Sequence, residues 1–451
     1  MSQRMLVLGL GKSGIAAANH MLSCGHDVTI YAGKSSEATI AAAQPFIEAG
    51  VDVIFDNEQV EGSYDLCVVC PGIPQTCTFY QSAQAASAEL ISEPEYAFRL
   101  SPLDWVSITG TNGKTTTTSL VEHVLIRCGK QATACGNIGL AVTDVVARRG
   151  KNEYIVAEMS SYQLASTYQF KPRVGVLLNI TPDHLSWHGG FEAYAQAKLK
   201  NFANMRRGCT AIISANVPGY EELAGELRTK GVTVRIIGEE RASGCYYCRD
   251  GVLYAKASTV ELPICRADQL KIRGEHNIEN ALAAAAVCLD LGCKIEGVAE
   301  GLKGFAALEH RIEPAGTVNG VSFYNDSKAT NVDATLVALS AFPETPVVLL
   351  LGGRDKGTDL AELVKACEDA TVHTVITYGE GGPRFAEAFE GSSVQNVSAK
   401  GMAEAFEAAV EVANEGDAVL LSPACASFDE FNSFEHRGKV FKQMVSDLKA
   451  K

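Results

Sequence analysis

The sequence predicts an α/β protein made of three successive units, each built on a mainly parallel sheet. Three observations predict it. Short apolar runs alternate with stretches of helical period along the whole chain, the pattern of strand, crossover helix and parallel strand. Several of those runs end in a loop that opens a helix, and two of the loops are rich in glycine. At about 100–200 residues per domain, a chain of 451 residues exceeds what one core organises.

In the first unit, residues 5–9, 27–32, 51–55 and 65–70 read as strands. Residues 15–24 and 39–49 read as helices between them, stopped at Gly25 and Gly50. The second unit opens with a strand at 105–110, followed by a helix over 117–128 that Gly129 ends. It continues through strands at 155–159 and 174–180 and closes with an alanine-rich helix over 277–289. Residues 237–268 lack a helical period and read as a small β excursion. The third unit carries strands at 321–324, 347–351, 373–378 and 418–422. Hinges are expected near Ser101-Pro102 and over 305–309, which gives domains 1–101, 102–306 and 307–451.

Hydrophobic residues make up 47% and charged residues 20%, so sizeable cores can form. Lys plus Arg is 39 against 53 for Asp plus Glu, a net charge of −14. That excludes a general nucleic-acid binder and means that any anionic ligand needs a locally basic pocket. No apolar run is long enough to span a membrane. The N-terminal residues lack the basic start and apolar stretch of a secretory signal. The fourteen cysteines therefore read as reduced thiols of a cytoplasmic protein. Cys67-x-x-Cys70 and Cys245-x-x-Cys248 lie in different units, and they read as structural or free thiols rather than a zinc site.

Gly9-Leu-Gly11-Lys12-Ser13-Gly14 follows a strand and opens a helix, as a pyrophosphate-binding turn does. A dinucleotide site also wants an acid at the end of the second strand. Here that strand ends Tyr31-Ala32-Gly33-Lys34. Another phosphate ligand, or simply tight packing, remains open.

Gly110-Thr111-Asn112-Gly113-Lys114-Thr115-Thr116 is the stronger signal. Its backbone N–H groups would cradle phosphate, Lys114 would put a point charge on the outer phosphates, and the Thr115 hydroxyl would reach Mg²⁺. Ile108 stands where the strict phosphate loop has its first glycine, so the loop is a shortened relative. Glu158 ends another strand and offers the hard oxygen that Mg²⁺ prefers. Asn179-Ile-Thr181-Pro-Asp183-His184 follows a third strand end, which raises His184 as a ligand or orienting group. Lys198, in Tyr194-Ala-Gln-Ala-Lys198, reads from its helical pattern as solvated. Asn277 either caps the alanine-rich helix or holds an adenine edge. Arg311 suits bidentate phosphate contact and Asp326 a ribose hydroxyl pair. Lys328, Lys356 and Ser427 are the groups an acidic small substrate needs.

Taken in order, the phosphate loop, Glu158-Met-Ser-Ser-Tyr-Gln, Thr181-Pro-Asp-His184, Tyr194-x-x-Ala-Lys198, His276-Asn277, His310-Arg311 and Asn325-Asp-Ser-Lys-Ala-Thr330 resemble the Mur ligases. These are the ATP-dependent, amide-bond-forming ligases of peptidoglycan precursor synthesis, and the resemblance spans essentially the whole chain. Asn325-Asp-Ser-Lys-Ala-Thr-Asn331 and Ser422-Pro-Ala-Cys-Ala-Ser427-Phe-Asp429 point, within the family, to addition of D-glutamate to UDP-N-acetylmuramoyl-L-alanine. The Asp-Asn-Pro-Arg signature of the diamino-acid-adding member is absent.

The resemblance implies a Rossmann-like N-terminal domain holding the UDP substrate through Lys12, Ser13, Gly72 and Asn137, with His184 also facing that substrate. It implies a P-loop-type central domain binding ATP through Gly110, Thr111, Asn112, Gly113, Lys114, Thr115 and Thr116. Asn277 would contact adenine, Arg311 the phosphates and Asp326 the ribose. A Rossmann-like C-terminal domain would hold D-glutamate through Lys328, Thr330, Lys356, Ser427 and Phe434. The catalytic set it implies is Lys114, Glu158, His184 and Lys198. Thr115 and Glu158 would hold one Mg²⁺, and His184 and a carbamate on Lys198 a second. Family members often carry an acid where this chain has Ala32. The expected partners are small-molecule substrates, with no nucleic acid or membrane, in a monomer. A folylpolyglutamate-type ligase, an NAD-linked oxidoreductase using Gly9–Gly14 and a non-catalytic nucleotide-binding regulator are the competing readings.

Overall fold

Each of the three stretches of alternating pattern folds around its own sheet in the computed structural model, which describes residues 2–241, 244–257, 259–272, 274–306, 309–355 and 357–450. The first sheet holds β1 (Arg4–Leu8), β2 (Asp27–Gly33), β3 (Asp52–Phe55), β4 (Leu66–Val69) and β5 (Leu90–Ser92) in the order β3-β2-β1-β4-β5. All its pairings are parallel. The chain reverses direction across the sheet between β1 and β4, and ligands of open parallel sheets bind outside such a point. Gly9 follows β1 and Gly72 follows β4, so both loops open there.

The second sheet holds β6 (Trp105–Thr109), β7 (Ala132–Gly136), β8 (Tyr154–Glu158), β9 (Val174–Leu177), β10 (Thr210–Ser214), β11 (Thr233–Ile237), β12 (Cys245–Arg249), β13 (Val252–Ala257) and β14 (Val260–Arg266). Their order is β14-β13-β12-β11-β10-β9-β6-β8-β7. β12, β13 and β14 form the β excursion that the sequence predicts, an antiparallel meander on the sheet's edge. β6 lies between β8 and β9, so three carboxyl ends meet where the phosphate loop begins. The helix expected at 117–128 starts earlier and spans Lys114–Arg127. Its N-cap is Gly113 at φ +82, a conformation that costs a glycine nothing, so the Lys-Thr-Thr run becomes the first turn despite its poor helix propensity.

The third sheet holds β15 (Glu313–Val318), β16 (Val321–Asn325), β17 (Val347–Gly352), β18 (Val372–Tyr378), β19 (Gln395–Ser398) and β20 (Ala418–Leu421), ordered β15-β16-β20-β17-β18-β19. Only the β15–β16 hairpin is antiparallel. By compactness the chain forms two units. One contains the first two sheets and ends at Gln269, with Glu279–Phe305 added. The other contains Leu270–Ile278 and the residues from Ala306 onward. Among the described residues no helix is long and apolar enough to cross a membrane.

Buried carboxylates explain why the first two sheets share a unit. The helix Glu93–Leu100 leaves β5 with Ser92 as its N-cap. The fully buried Glu95 accepts hydrogen bonds from the backbone N–H groups of Tyr168, Gln169 and Phe170, at 3.1, 2.9 and 2.9 Å. Arg99 donates to Glu95 at 2.9 Å and makes a two-pronged contact with Glu89. Glu93 accepts from Thr143 N, and burial pushes its carboxyl up to about 7. Beside this polar strip Trp105 meets Phe98 and Phe170 edge-on at centroid distances of 5.7 and 5.6 Å. Replacing Glu95 with alanine strands three buried N–H groups and the Arg99 charge. Glu95→Ala should cost about 3 kcal/mol of stability, read from denaturant unfolding followed by tryptophan fluorescence. An unchanged midpoint would show that the strip does not hold the unit together.

Candidate active site

The first glycine loop is built for close approach. Gly9 sits at φ +88, and a Cβ on Gly14 would lie 2.2 Å from the Gly9 carbonyl oxygen. Cys70 donates its thiol to the same carbonyl at 3.3 Å. Lys12 and Ser13 begin the helix Lys12–Ser23, whose N-cap Gly11 leaves the first-turn N–H groups without a side-chain acceptor. Gly9, Ala32, Lys34, Asp56, Gly72 and Phe79 help line a cavity of about 530 Å³. The acid absent at Ala32 has a counterpart one strand away. Asp56, just after β3 at φ +51, accepts from both the N–H and the hydroxyl of Ser35.

The phosphate loop is held by a residue to which the sequence assigned no role. Asn179, beyond β9, accepts from Thr111 N and Asn112 N at 2.9 and 2.8 Å and donates to the Asn112 carbonyl at 3.2 Å. Thr111 adds bonds to the Thr181 carbonyl at 3.1 Å and to the Tyr194 hydroxyl at 2.9 Å. A Cβ on Gly113 would lie 2.4 Å from Asn280 Oδ1, which accepts from Thr117 at 3.0 Å. The loop is thus fastened on both sides before any ligand is considered.

Two ammonium groups converge on one atom of that loop. Lys114 Nζ donates to the Gly110 carbonyl at 3.0 Å and to the Thr111 carbonyl at 2.7 Å. Lys198 Nζ donates to the same Gly110 carbonyl at 2.7 Å. The pattern reading of Lys198 as a solvated lysine is corrected here: the residue is 2% exposed. It lies on the inward face of the helix Phe191–Leu199, its ammonium 4.6 Å from the Tyr194 ring centroid. Burial, and next the Lys114 charge, hold its pKa well below the usual lysine range, against the pull of Asp183 and Glu158.

Glu158 ends β8 and is 2% exposed. One of its carboxylate oxygens accepts from Asn137 Nδ2 at 2.8 Å, and its carbonyl accepts from Asn137 N at 2.9 Å. Asn137, expected at the UDP-sugar, therefore touches Glu158. Gly136 makes this possible, since a Cβ there would lie 2.4 Å from the Glu158 carbonyl oxygen. The other carboxylate oxygen is buried and accepts no hydrogen bond, and the buried Thr116 hydroxyl is likewise unsatisfied. Thr115 is half-buried in the first turn beside it. Unsatisfied buried oxygens are costly, and a hard divalent cation satisfies them. The donor set therefore fits Mg²⁺.

His184 adopts φ +52 at the start of the short helix Leu185–His188 and is exposed. It packs on Tyr162 at 4.8 Å and lies 3.4 Å from Asp183. His188 hydrogen-bonds Ser161 at 2.9 Å, and burial, His184 and Lys198 push its pKa down to about 4. Ser161 and Tyr162 are presented by a capping box in which Ser160 and Gln163 exchange side-chain and backbone bonds. That explains the Ser-Ser-Tyr-Gln run after Glu158.

The second unit gathers the remaining predicted residues. Asn277 is buried, and its neighbour His276 is pushed down to about 4 by burial and by the Arg311 charge. Arg311 Nε is buried without a hydrogen bond. Asp326 accepts from Ser422 at 2.7 Å and from Ile312 N at 3.2 Å, and burial pushes it up to about 7 although Arg311 and Arg437 oppose this. Lys328 lies 5.4 Å from the Phe434 ring centroid, and its carbonyl accepts from Thr330 N at 2.9 Å. Ser427 is buried. Lys356 lies outside the described residues. Arg437, which nothing in the sequence flagged, is fully buried and ties these loops together. It donates to the Ser327 hydroxyl and carbonyl at 2.9 and 2.8 Å and to the Cys425 carbonyl at 3.0 Å. A nearby trio, Glu309, His310 and Glu313, resembles a metal site, but Lys442 bonds both carboxylates at 2.7 and 2.9 Å and supplies the charge.

Comparison with known proteins agrees with this arrangement. The family model for the Mur ligase middle domain matches residues 108–288, and that for the Mur ligase glutamate ligase domain matches residues 310–425. The UDP-N-acetylmuramoylalanine–D-glutamate ligase of Thermoanaerobacter pseudethanolicus is 38% identical over 456 residues, covering 99% of each chain. That of Streptococcus suis is 38% identical over 451 residues, covering 99% of this chain and 98% of its own. The solved UDP-N-acetylmuramate–alanine ligase of Thermotoga maritima shares the fold over 99% of both chains, with a TM-score of 0.57 at 20% identity. Full-length relatedness at this identity, together with both family domains, shows that the chain belongs to the Mur ligase family.

Proposed function

We propose that this chain is the ATP-dependent ligase that joins D-glutamate to UDP-N-acetylmuramoyl-L-alanine in peptidoglycan precursor synthesis. The observation that carries the reading is the meeting of Lys114 and Lys198 on the Gly110 carbonyl, on a fastened phosphate loop. Relatives bearing that activity in their names match the whole chain.

A carboxylate is a poor electrophile. Transfer of the γ-phosphoryl group of ATP to the L-alanyl carboxylate gives an acyl phosphate and ADP. The amine of D-glutamate then attacks the acyl carbon, and phosphate leaves as the amide forms. In this reading residues 1–101 hold the UDP substrate through Lys12, Ser13 and Gly72, residues 102–306 hold ATP, and residues 307–451 hold D-glutamate. The first-turn N–H groups of the helix Lys114–Arg127 lack helical acceptors and suit phosphate oxygens. Lys114 swings from its carbonyl partners to the γ-phosphate and stabilises its charge. Asn277, Arg311 and Asp326 serve adenine, phosphates and ribose. Lys328, Thr330, Lys356 and Ser427 receive the carboxylates of D-glutamate, beside Phe434.

Thr115, Glu158, His184 and a carbamylated Lys198 would hold Mg²⁺, which neutralises the transferring phosphoryl group. The depressed pKa of Lys198 favours that carbamate, because only the unprotonated amine adds to CO₂. In that step a C–N bond forms, a proton leaves, and a cation becomes an anion beside Lys114. The enzyme works on small molecules as a cytoplasmic monomer.

Purified protein given ATP, Mg²⁺ and UDP-N-acetylmuramoyl-L-alanine should release ADP with D-glutamate and not with L-glutamate, L-lysine or D-alanine. Release with L-glutamate alone would move the chain to a folylpolyglutamate-type reaction. Lys114→Ala should lower D-glutamate-dependent phosphate release by about a thousandfold, and full turnover in that variant would remove the loop from the mechanism. Lys198→Ala should lose turnover together with a carbamate carbon signal from ¹³C-bicarbonate that the parent shows at neutral pH. Parental activity in Lys198→Ala would sink the carbamate.

A further inference from the structure

Three cysteines gather at the far end of the phosphate-loop helix, away from the chemistry described above. The helix Glu275–Asp290 ends in a left-handed glycine, Gly292 at φ +80, and Cys293 N donates to the Cys288 carbonyl at 2.9 Å. This is the helix-ending motif in which the residue after the glycine is brought over the residue three positions back from the cap. Here both positions are cysteine, so the motif itself sets one thiol on the other. Cys128 caps the C-terminus of the helix Lys114–Arg127. Its sulfur lies against Gly297 of the helix Ile295–Gly304, where a Cβ would come within 3.0 Å.

Cys293 is the centre of the group, in hydrogen-bond contact with both Cys288 and Cys128. The three sulfurs do not close into a mutual metal-ligand set, because the only such cluster among the described residues is Glu309, His310 and Glu313. The geometry therefore suits pairwise sulfur chemistry. Cys288 is fully buried, whereas Cys128 is half-exposed, and Gly292 and Lys294 beside Cys293 are exposed. Hydrogen bonds from Cys288 and Cys128 and the charge of Lys130 hold the Cys293 thiol below the usual range, while burial raises the other two.

We propose that Cys293 and Cys128 form a reversible disulfide under oxidation by peroxide, a thiol-modification site separate from the ligase centre. The Cys293 thiolate attacks one peroxide oxygen, the O–O bond breaks, and a sulfenic acid and hydroxide result. The Cys128 sulfur then attacks the sulfenic sulfur, the S–S bond forms, and the S–O bond breaks as water leaves. In sum two thiols and one peroxide give one disulfide and two waters. The bond joins the end of the helix that begins with Lys114 to the turn between the helices Glu275–Asp290 and Ile295–Gly304.

The test is a peptide map of the reduced, full-length protein after exposure to hydrogen peroxide at neutral pH, digested without reductant. The expected result is a linked pair of peptides containing Cys128 and Cys293, lost on treatment with dithiothreitol. Cys288→Ser should keep the link and Cys293→Ser should abolish it. A map of the unmutated protein decides the matter even if a variant folds poorly. A link between Cys288 and Cys293 would overturn the proposal. So would a map in which the exposed Cys24 and Cys248 oxidise while Cys128 and Cys293 stay open to alkylation.

Discussion

Two lysine side chains sharing the Gly110 carbonyl set the terms for everything around them. The whole chain carries −14, yet at this point two cationic groups sit within hydrogen-bonding distance of one oxygen, one of them almost wholly buried. A carbonyl dipole cannot balance two charges. Part of the balance comes from Lys198 giving up its proton readily, which burial and the Lys114 charge both favour. Part comes from Glu158 and Asp183, which pull the other way. What remains is a local demand for negative charge, and a triphosphate supplies it. The unsatisfied Glu158 oxygen creates the opposite demand a short way off. A site that calls for an anion and a cation side by side is suited to a metal–nucleotide pair.

The fold meets this demand by backbone geometry more than by side-chain reach. β6, β8 and β9 are neighbours, and each delivers one component at its carboxyl end: the loop, Glu158 and Asn179. Asn179 has one amide oxygen for two loop N–H groups and an amide N–H for a loop carbonyl, so it reads the loop's conformation in full. Gly136 lets β7 come close enough for Asn137 to orient Glu158. These residues are positioning groups. Their effect is to spare the reaction the reorganisation that a free loop would need.

Much of this was legible in the sequence, for stated reasons. The parallel strands that carry the site are long apolar runs ended by glycine or polar loops, and these read clearly. The strands that escaped, such as β5, β7 and β19, are short and lie at the edges of their sheets, where burial leaves little pattern. The chemistry-bearing types in the phosphate loop and at Glu158 announced themselves because their spacing follows the strand ends. Lys198 did not. Its helix has polar and apolar residues on both sides of the lysine, and nothing local says that the lysine faces inward. Only the family resemblance marked it, and its burial depends on β6 and β9, which lie far away in the chain. Asn179 and Arg437 escaped for the same reason: their partners are set by tertiary folding, and an asparagine after a strand or an arginine in a helix is unremarkable alone.

Arg437 shows how the second unit meets a similar demand by other means. Its hydrogen-bond partners are carbonyl groups and the Ser327 hydroxyl, so it is satisfied without being neutralised. A guanidinium held by dipoles keeps its charge, and at low dielectric that charge acts over a longer range than it would in water. It opposes the burial that keeps Asp326 protonated, and its field also favours any anion lodged near Lys328 and Ser427. Since Ser327 hydrogen-bonds the Phe434 carbonyl as well, the same side chain fixes the positions of Lys328 and Phe434. A single buried cation thus supplies both the shape of the proposed amino-acid pocket and part of its attraction for a dicarboxylate. A neutral side chain of equal volume would at best reproduce the first.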